Sequence, residues 1–143
     1  MTTLMLSEEK RDLVRDKGTK LGRILIGFLF FMSGVGIVMG GPANTAAWFA
    51  SLGIPAASLM VWLVIVLKLG AGSAIMFGQR VGLASALLIG FTIIATLLAH
   101  MDFSDPMQLT QALKNLAIIG GLLYLMAYGS GGSNTRLAPS NQA

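Results

Sequence analysis

The chain has 143 residues, 55% of them hydrophobic and 11% charged, and its mean hydropathy is +0.75. That balance excludes a soluble globular domain and places the chain in a membrane. The net charge of +4 comes without interleaved basic and aromatic residues, so it reads as a topology signal, and no nucleic acid is expected as a partner.

The first element is a basic, amphipathic arm over residues 1–20. Ser7 is placed to cap a helix, Glu8 and Glu9 suit its first turn, and Lys and Arg follow, the order that complements a helix dipole. Gly18 is expected to break this arm before the membrane begins. The arm has two readings, a surface helix drawn to anionic lipid or a topogenic charge cluster. It is too charged to be the apolar core of a signal peptide, so the first span is expected to stay in the mature protein.

Apolar stretches run from Leu21 to Val38, Ala56 to Phe77, Val81 to Ala99 and Leu113 to Tyr128. Most approach the roughly 20 residues that a helix needs to cross a bilayer. The predicted architecture is all-α, a polytopic membrane four-helix bundle over 21–128. Its spans lie at about 21–40, 56–77, 81–100 and 107–128, and a flexible tail follows over 129–143. Lys10, Arg11, Arg15, Lys17, Lys20 and Arg23 precede or open the first span, Arg80 lies between the second and third, and Arg136 lies in the tail. The loops after spans one and three contain neither Lys nor Arg. Both termini are therefore expected on the cytoplasmic side of the membrane.

Gly27, Gly34 and Gly41 recur every seven residues and stay near one face, drifting by roughly 20° per heptad. With Gly72 of span two they are the predicted helix-packing positions, because small residues let membrane helices approach closely. Gly36 and Gly40 form a GxxxG pair on another face. The following loop reads as a short helix, with Asn44 able to cap it and Gly53 and Pro55 to end it. Trp48 and Phe49 in this helix are expected to anchor at the outer interface near Trp62, and the helix is also placed to lid a cavity.

Lys68 sits within span two, whereas all six acidic residues lie outside the apolar segments. Over a span of about 33 Å it falls roughly 14 Å from the inner end, too deep for its ammonium to reach water easily. It is expected to face the bundle interior, a polar cavity or a partner. In span three, Ser85, Thr92, Thr96 and His100 fall within about 80° on a helical wheel and form a polar stripe leading outward. Asp105-Pro106 with Gln108 reads as an N-cap, a first-turn proline and a capping-box glutamine. That leaves His100 and Asp102, too few ligands for a closed metal site, so no metal is expected. On the fourth helix Gln108, Gln111 and Asn115 share a face, with Lys114 on its flank. Together with His100 this patch can line an outward-facing pocket, although Lys114 can also simply snorkel.

Cysteine is absent and His100 is the only histidine. Thiolate chemistry, iron–sulfur ligation and a haem held by two histidines of one chain are thereby excluded. No self-contained catalytic motif is present, so any redox cofactor is diffusible or belongs to a partner.

From Arg23 to about Leu125 the chain resembles the DoxX family of small four-helix membrane proteins. The matching features are Arg23 opening a glycine-rich span, Trp48-Phe49-Ala50-Ser51-Leu52-Gly53-Ile54-Pro55, the Gly70 to Gly78 stretch followed by Arg80, His100 after span three, and Lys114-Asn115 in span four. The resemblance implies a bacterial cytoplasmic-membrane protein, and some relatives are subunits of quinone-linked sulfur oxidoreductases or other membrane redox assemblies. Where many relatives carry a glutamate in span two, four residues before a glycine, this chain has Lys68 before Gly72.

Two functions follow as expectations. One is a redox-linked subunit with no intrinsic cofactor that binds a quinone or similar amphiphile, with Lys68, His100, Lys114 and Asn115 as contacts to carbonyl oxygens. The other is a noncatalytic subunit that assembles or stabilises a larger complex; a small-solute transporter ranks third. Membrane lipid, a redox-protein partner or a second copy of the chain are the expected partners.

Overall fold

The computed structural model describes residues 7–130, and every regular element among them is helical. The order is α1 (Glu8–Gly40), α2 (Pro42–Ser51), α3 (Ala57–Phe77), α4 (Val81–Ala99) and α5 (Pro106–Tyr128). All but the short α2 are long and apolar enough to span a membrane. The four spans alternate in direction. The α1–α2 corner, the start of α3 and the α4–α5 loop therefore share one end, here the loop end, and the turn at Arg80 marks the opposite, terminal end.

The helix α1 runs for 33 residues, about 50 Å, so its first turns project beyond a hydrocarbon core of about 30 Å. The expected break at Gly18 does not occur, and arm and first span are one continuous helix. Ser7 accepts from the Lys10 backbone N–H at 3.4 Å, and Asp16 meets Lys20 at 3.5 Å one turn on. A single glycine costs a helix only about 1 kcal/mol, and propagation from a span already held in the bundle avoids a new nucleation.

At the corner Gly41 adopts φ +92°, a conformation that favours glycine, and Pro42 opens α2 immediately. Gly41 is thus a turn residue and not the helix-packing position its heptad spacing predicted. Asn44 is likewise not the N-cap of α2, because it lies within the first turn. Its Nδ2 donates at 2.8 Å to the Gly40 carbonyl, one of the carbonyls α1 leaves unpaired at its end. Gly53, at φ +79°, follows the end of α2 as expected.

Two closely packed pairs, α1 on α3 and α4 on α5, are joined mainly through α3 and α4, while α1 and α5 barely touch. Glycine sets the α1–α3 distance. A Cβ added to Gly27 would lie 2.6 Å from the Gly72 carbonyl oxygen, and one on Gly72 would lie 2.8 Å from the Phe31 backbone nitrogen. Gly34 packs less tightly, with a Cβ there meeting Leu69 and Lys68 side-chain carbons at 3.0–3.1 Å. Gly36 and Gly40 have no such neighbour within 4 Å, so the GxxxG pair faces outward. Gly121, not singled out by spacing, admits the Ile26 side chain at the α1–α5 contact.

The core lies in the terminal half, where Phe30, Ile75, Leu88, Leu122 and Leu125 interlock. Below it, Arg23 reaches from α1 across Gly78, the left-handed C-cap of α3, and donates to the Ser130 carbonyl at 2.8 Å. This guanidinium ties α1 to the ends of α3 and α5. At the loop end Asp105 accepts from the Met107 backbone N–H at 2.9 Å, the N-cap expected ahead of Pro106. Gln108 does not complete the capping box; its Oε1 accepts from the Asp102 backbone N–H at 3.1 Å and braces the loop.

Candidate functional site

Above the core, toward the loop end, the helices part around a cavity of about 480 Å³. Its size falls within the range of small-molecule sites, roughly 300–1,000 Å³. Phe30, Ile37, Met60, Val64, Leu98 and Ile118 provide much of an apolar wall drawn from α1, α3, α4 and α5. Thr45, Trp48 and Phe49 of α2, with Leu52 just after it, line the loop end. The short helix thus covers part of the cavity, between the turns at Gly41 and Gly53. Trp48 and Phe49 meet at a ring separation of 5.6 Å.

Lys68 forms part of the cavity wall. Its Nζ donates to Ser33 Oγ of α1 at 2.8 Å and lies 5.1 Å from the centre of the Phe91 ring. Both contacts suit an ammonium, the second as a cation–π interaction. No carboxylate pairs with it among the described residues, which include all six Asp and Glu side chains. An ammonium carries three N–H donors, and Ser33 takes one. A lysine at mid-helix costs about 2.5–3.5 kcal/mol on insertion scales, which accords with its facing the cavity and not lipid. Ser33 is the only hydroxyl residue in span one and lies beside Gly34. That juxtaposition was a readable signal for a Lys68 partner, and Phe91 had none.

The second polar cluster lies nearer the loop end. Asn115, only 8% exposed, donates through Nδ2 to Thr96 Oγ1 at 2.8 Å and accepts from Gln111 Nε2 at 3.2 Å. Thr96 and Thr92 each donate back to the carbonyl four residues earlier, at 2.7 Å. The polar stripe of α4 thus faces inward and is met by Asn115. His100 also lines the cavity, and its Nδ1 is buried without a hydrogen-bond partner. Of the four residues proposed from sequence, the cavity brings together Lys68, His100 and Asn115. Lys114 is exposed on the outer side of α5 and does not join them.

The chemistry available is that of recognition. A donor-rich cation stands deeper in the bundle, an amide and an imidazole stand nearer the loop end, and apolar side chains lie between. Among the described residues no group of three or more His, Asp or Glu side chains is placed to hold a metal.

Four spanning helices around an interhelical cavity define a multi-pass membrane protein of the small helical-bundle class. The DoxX family model matches residues 18–101, and the chain belongs to that family. It is 35% identical over 118 residues to the inner membrane protein YqjF of Escherichia coli (strain K12), covering 82% of this chain and 88% of that relative. This similarity and the four apolar helices identify a multi-pass inner-membrane protein. No solved structure matches the chain.

Proposed function

We propose that the protein binds a small amphiphile of the quinone class in this cavity, as a membrane subunit linked to a redox complex. The observation that carries the proposal is Lys68, an ammonium with donors to spare on the wall of an otherwise apolar cavity. A ring carbonyl oxygen is an acceptor for those donors, and the ring itself suits the surrounding Phe and aliphatic side chains. His100, with its unpartnered Nδ1, and the Asn115 amide offer polar contacts nearer the loop end. The ligand would bring the redox chemistry, while this chain's residues bind and orient it. In this reading the loop end faces outward, and the termini with Arg80 face the cytoplasm, as the basic residues outside the spans require.

The test is equilibrium binding of a short-chain ubiquinone analogue to purified protein in neutral-lipid nanodiscs. Saturable binding that Lys68→Met weakens supports the reading, and absence of saturable binding refutes it. The outward-facing Gly36 and Gly40 favour a second reading, assembly with another membrane helix. A stable stoichiometric protein partner without bound quinone would favour that one.

A further inference from the structure

Resting on the reading of the cavity as an amphiphile site, we infer that its preferred occupant is a hydrophobic weak acid. Such a ligand is a single-tailed molecule whose one ionisable oxygen head, a carboxylic acid or a phenol, sits as an anion against Lys68. Among the described residues Lys68 is the only Lys, Arg, Asp or Glu lining the cavity, and none of the six Asp and Glu side chains pairs with it. Its neighbours, the Ser33 hydroxyl and the Phe91 face, solvate a cation without neutralising it. A neutral quinone carbonyl would add another dipole and leave the site with its full positive charge. An oxyanion fills the same donors and cancels the charge, and hydrogen bonds between two ions are the stronger kind.

The surroundings fit a single charged head and an apolar tail. Among the described residues no second Lys or Arg lines the wall to hold a doubly charged group, and the remaining polar groups of the cavity are hydroxyls, amides and the His100 imidazole. Because α1 and α5 barely touch, and meet at Ile26 and Gly121 nearer the terminal end, the cavity lies between helices that are weakly joined beside it. A weak acid can cross the bilayer interior as its neutral form and give up its proton to solvent once the anion is held by Lys68. No redox step is involved.

The experiment uses the full chain carrying Trp62→Phe in phosphatidylcholine nanodiscs, which leaves Trp48 on the cavity wall as the only tryptophan. Dibrominated stearic acid and its methyl ester quench tryptophan at short range and differ in the ionisable head. At mildly alkaline pH the acid is expected to bind at least about tenfold more tightly than the ester, the magnitude of one charge-assisted hydrogen bond. Lys68→Met should abolish the preference and Lys68→Arg should retain most of it. Competition against the brominated acid by a long-chain alkylphenol and by unbrominated stearic acid ranks the two heads; tighter competition by the phenol identifies the phenolate, and tighter competition by stearic acid the carboxylate.

Equal binding of acid and ester, or an acid preference that survives Lys68→Met, overturns the inference. The first of these outcomes needs no variant, so a destabilised Lys68→Met protein leaves the test intact. Binding of the neutral ubiquinone analogue but of no acid or phenol overturns the weak-acid inference alone. Binding of none of these probes removes the amphiphile reading as well.

Discussion

Replacing Gly27 with alanine tests the contact that sets the distance between α1 and α3. The new Cβ would stand 2.6 Å from the Gly72 carbonyl oxygen, 2.7 Å from Met76 Cγ and 2.9 Å from the Met76 backbone nitrogen. Met76 Cγ can swing away, but the two backbone atoms cannot move without their helix. A carbon–oxygen contact relaxes at about 3.3 Å or beyond, so α1 and α3 must part locally by roughly 0.7 Å. Gaps of that size forfeit a quarter to a half of the dispersion energy of each contact they open. Overpacking of this kind costs about 1–3 kcal/mol, and with two rigid backbone obstacles we expect the upper half of that range. Gly36→Ala is the matched control, since it adds the same methyl to the same helix where no obstructing atom lies within 4 Å. Stability is read by reversible unfolding in mixed detergent micelles with helix content as the signal. Equal midpoints for Gly27→Ala and Gly36→Ala would refute the reasoning.

Gly34→Leu is expected to disrupt the bundle, whereas Gly34→Ala should cost about 1 kcal/mol or less, because Leu69 can yield; detergent unfolding separates the two. Asn115→Leu should destabilise by about 0.6–1.7 kcal/mol through loss of the Thr96 bond, and a Thr96→Val, Asn115→Leu double-mutant cycle would show no coupling if that bond contributes nothing. Asp105→Ala should cost about 1 kcal/mol as a lost N-cap, and unchanged stability would count against the capping role. In this cysteine-free chain, a single cysteine at position 102 should be labelled only from outside the cell and one at position 79 only from the cytoplasm. The opposite pattern would invert the proposed orientation.

The spans were legible because a bilayer demands long apolar helices and the chain supplies them at readable intervals. Gly27 and Gly34 were legible for a related reason, since close helix approach in a membrane needs small residues at a fixed spacing. Gly41 shares that spacing, yet it lies where α1 has run out, and pattern alone does not distinguish a packing glycine from a corner glycine. Gly18 does not break α1 because its local cost is small beside the stability that a membrane-spanning helix lends to its own extension. The inward placement of Lys68 followed from charge, but its Ser33 and Phe91 neighbours depend on which helices pack together and in what register. Asn115 and His100 share the cavity because α4 and α5 pair closely, whereas Lys114, one position from Asn115, lies on the outer side. A flank position on a helical wheel did not reveal which way that boundary fell.

The most direct test of the account is the response of Trp48 to a quinone. In the Trp62→Phe protein the remaining tryptophan lies on the cavity wall, and a short-chain ubiquinone analogue quenches indole fluorescence when it binds beside it. The account predicts saturable quenching whose dissociation constant rises roughly tenfold or more in Lys68→Met, as expected for a lost bond from a charged donor. Quenching that is linear in quinone concentration, or saturable quenching unchanged by the substitution, would contradict the claim that Lys68 makes this cavity a quinone site.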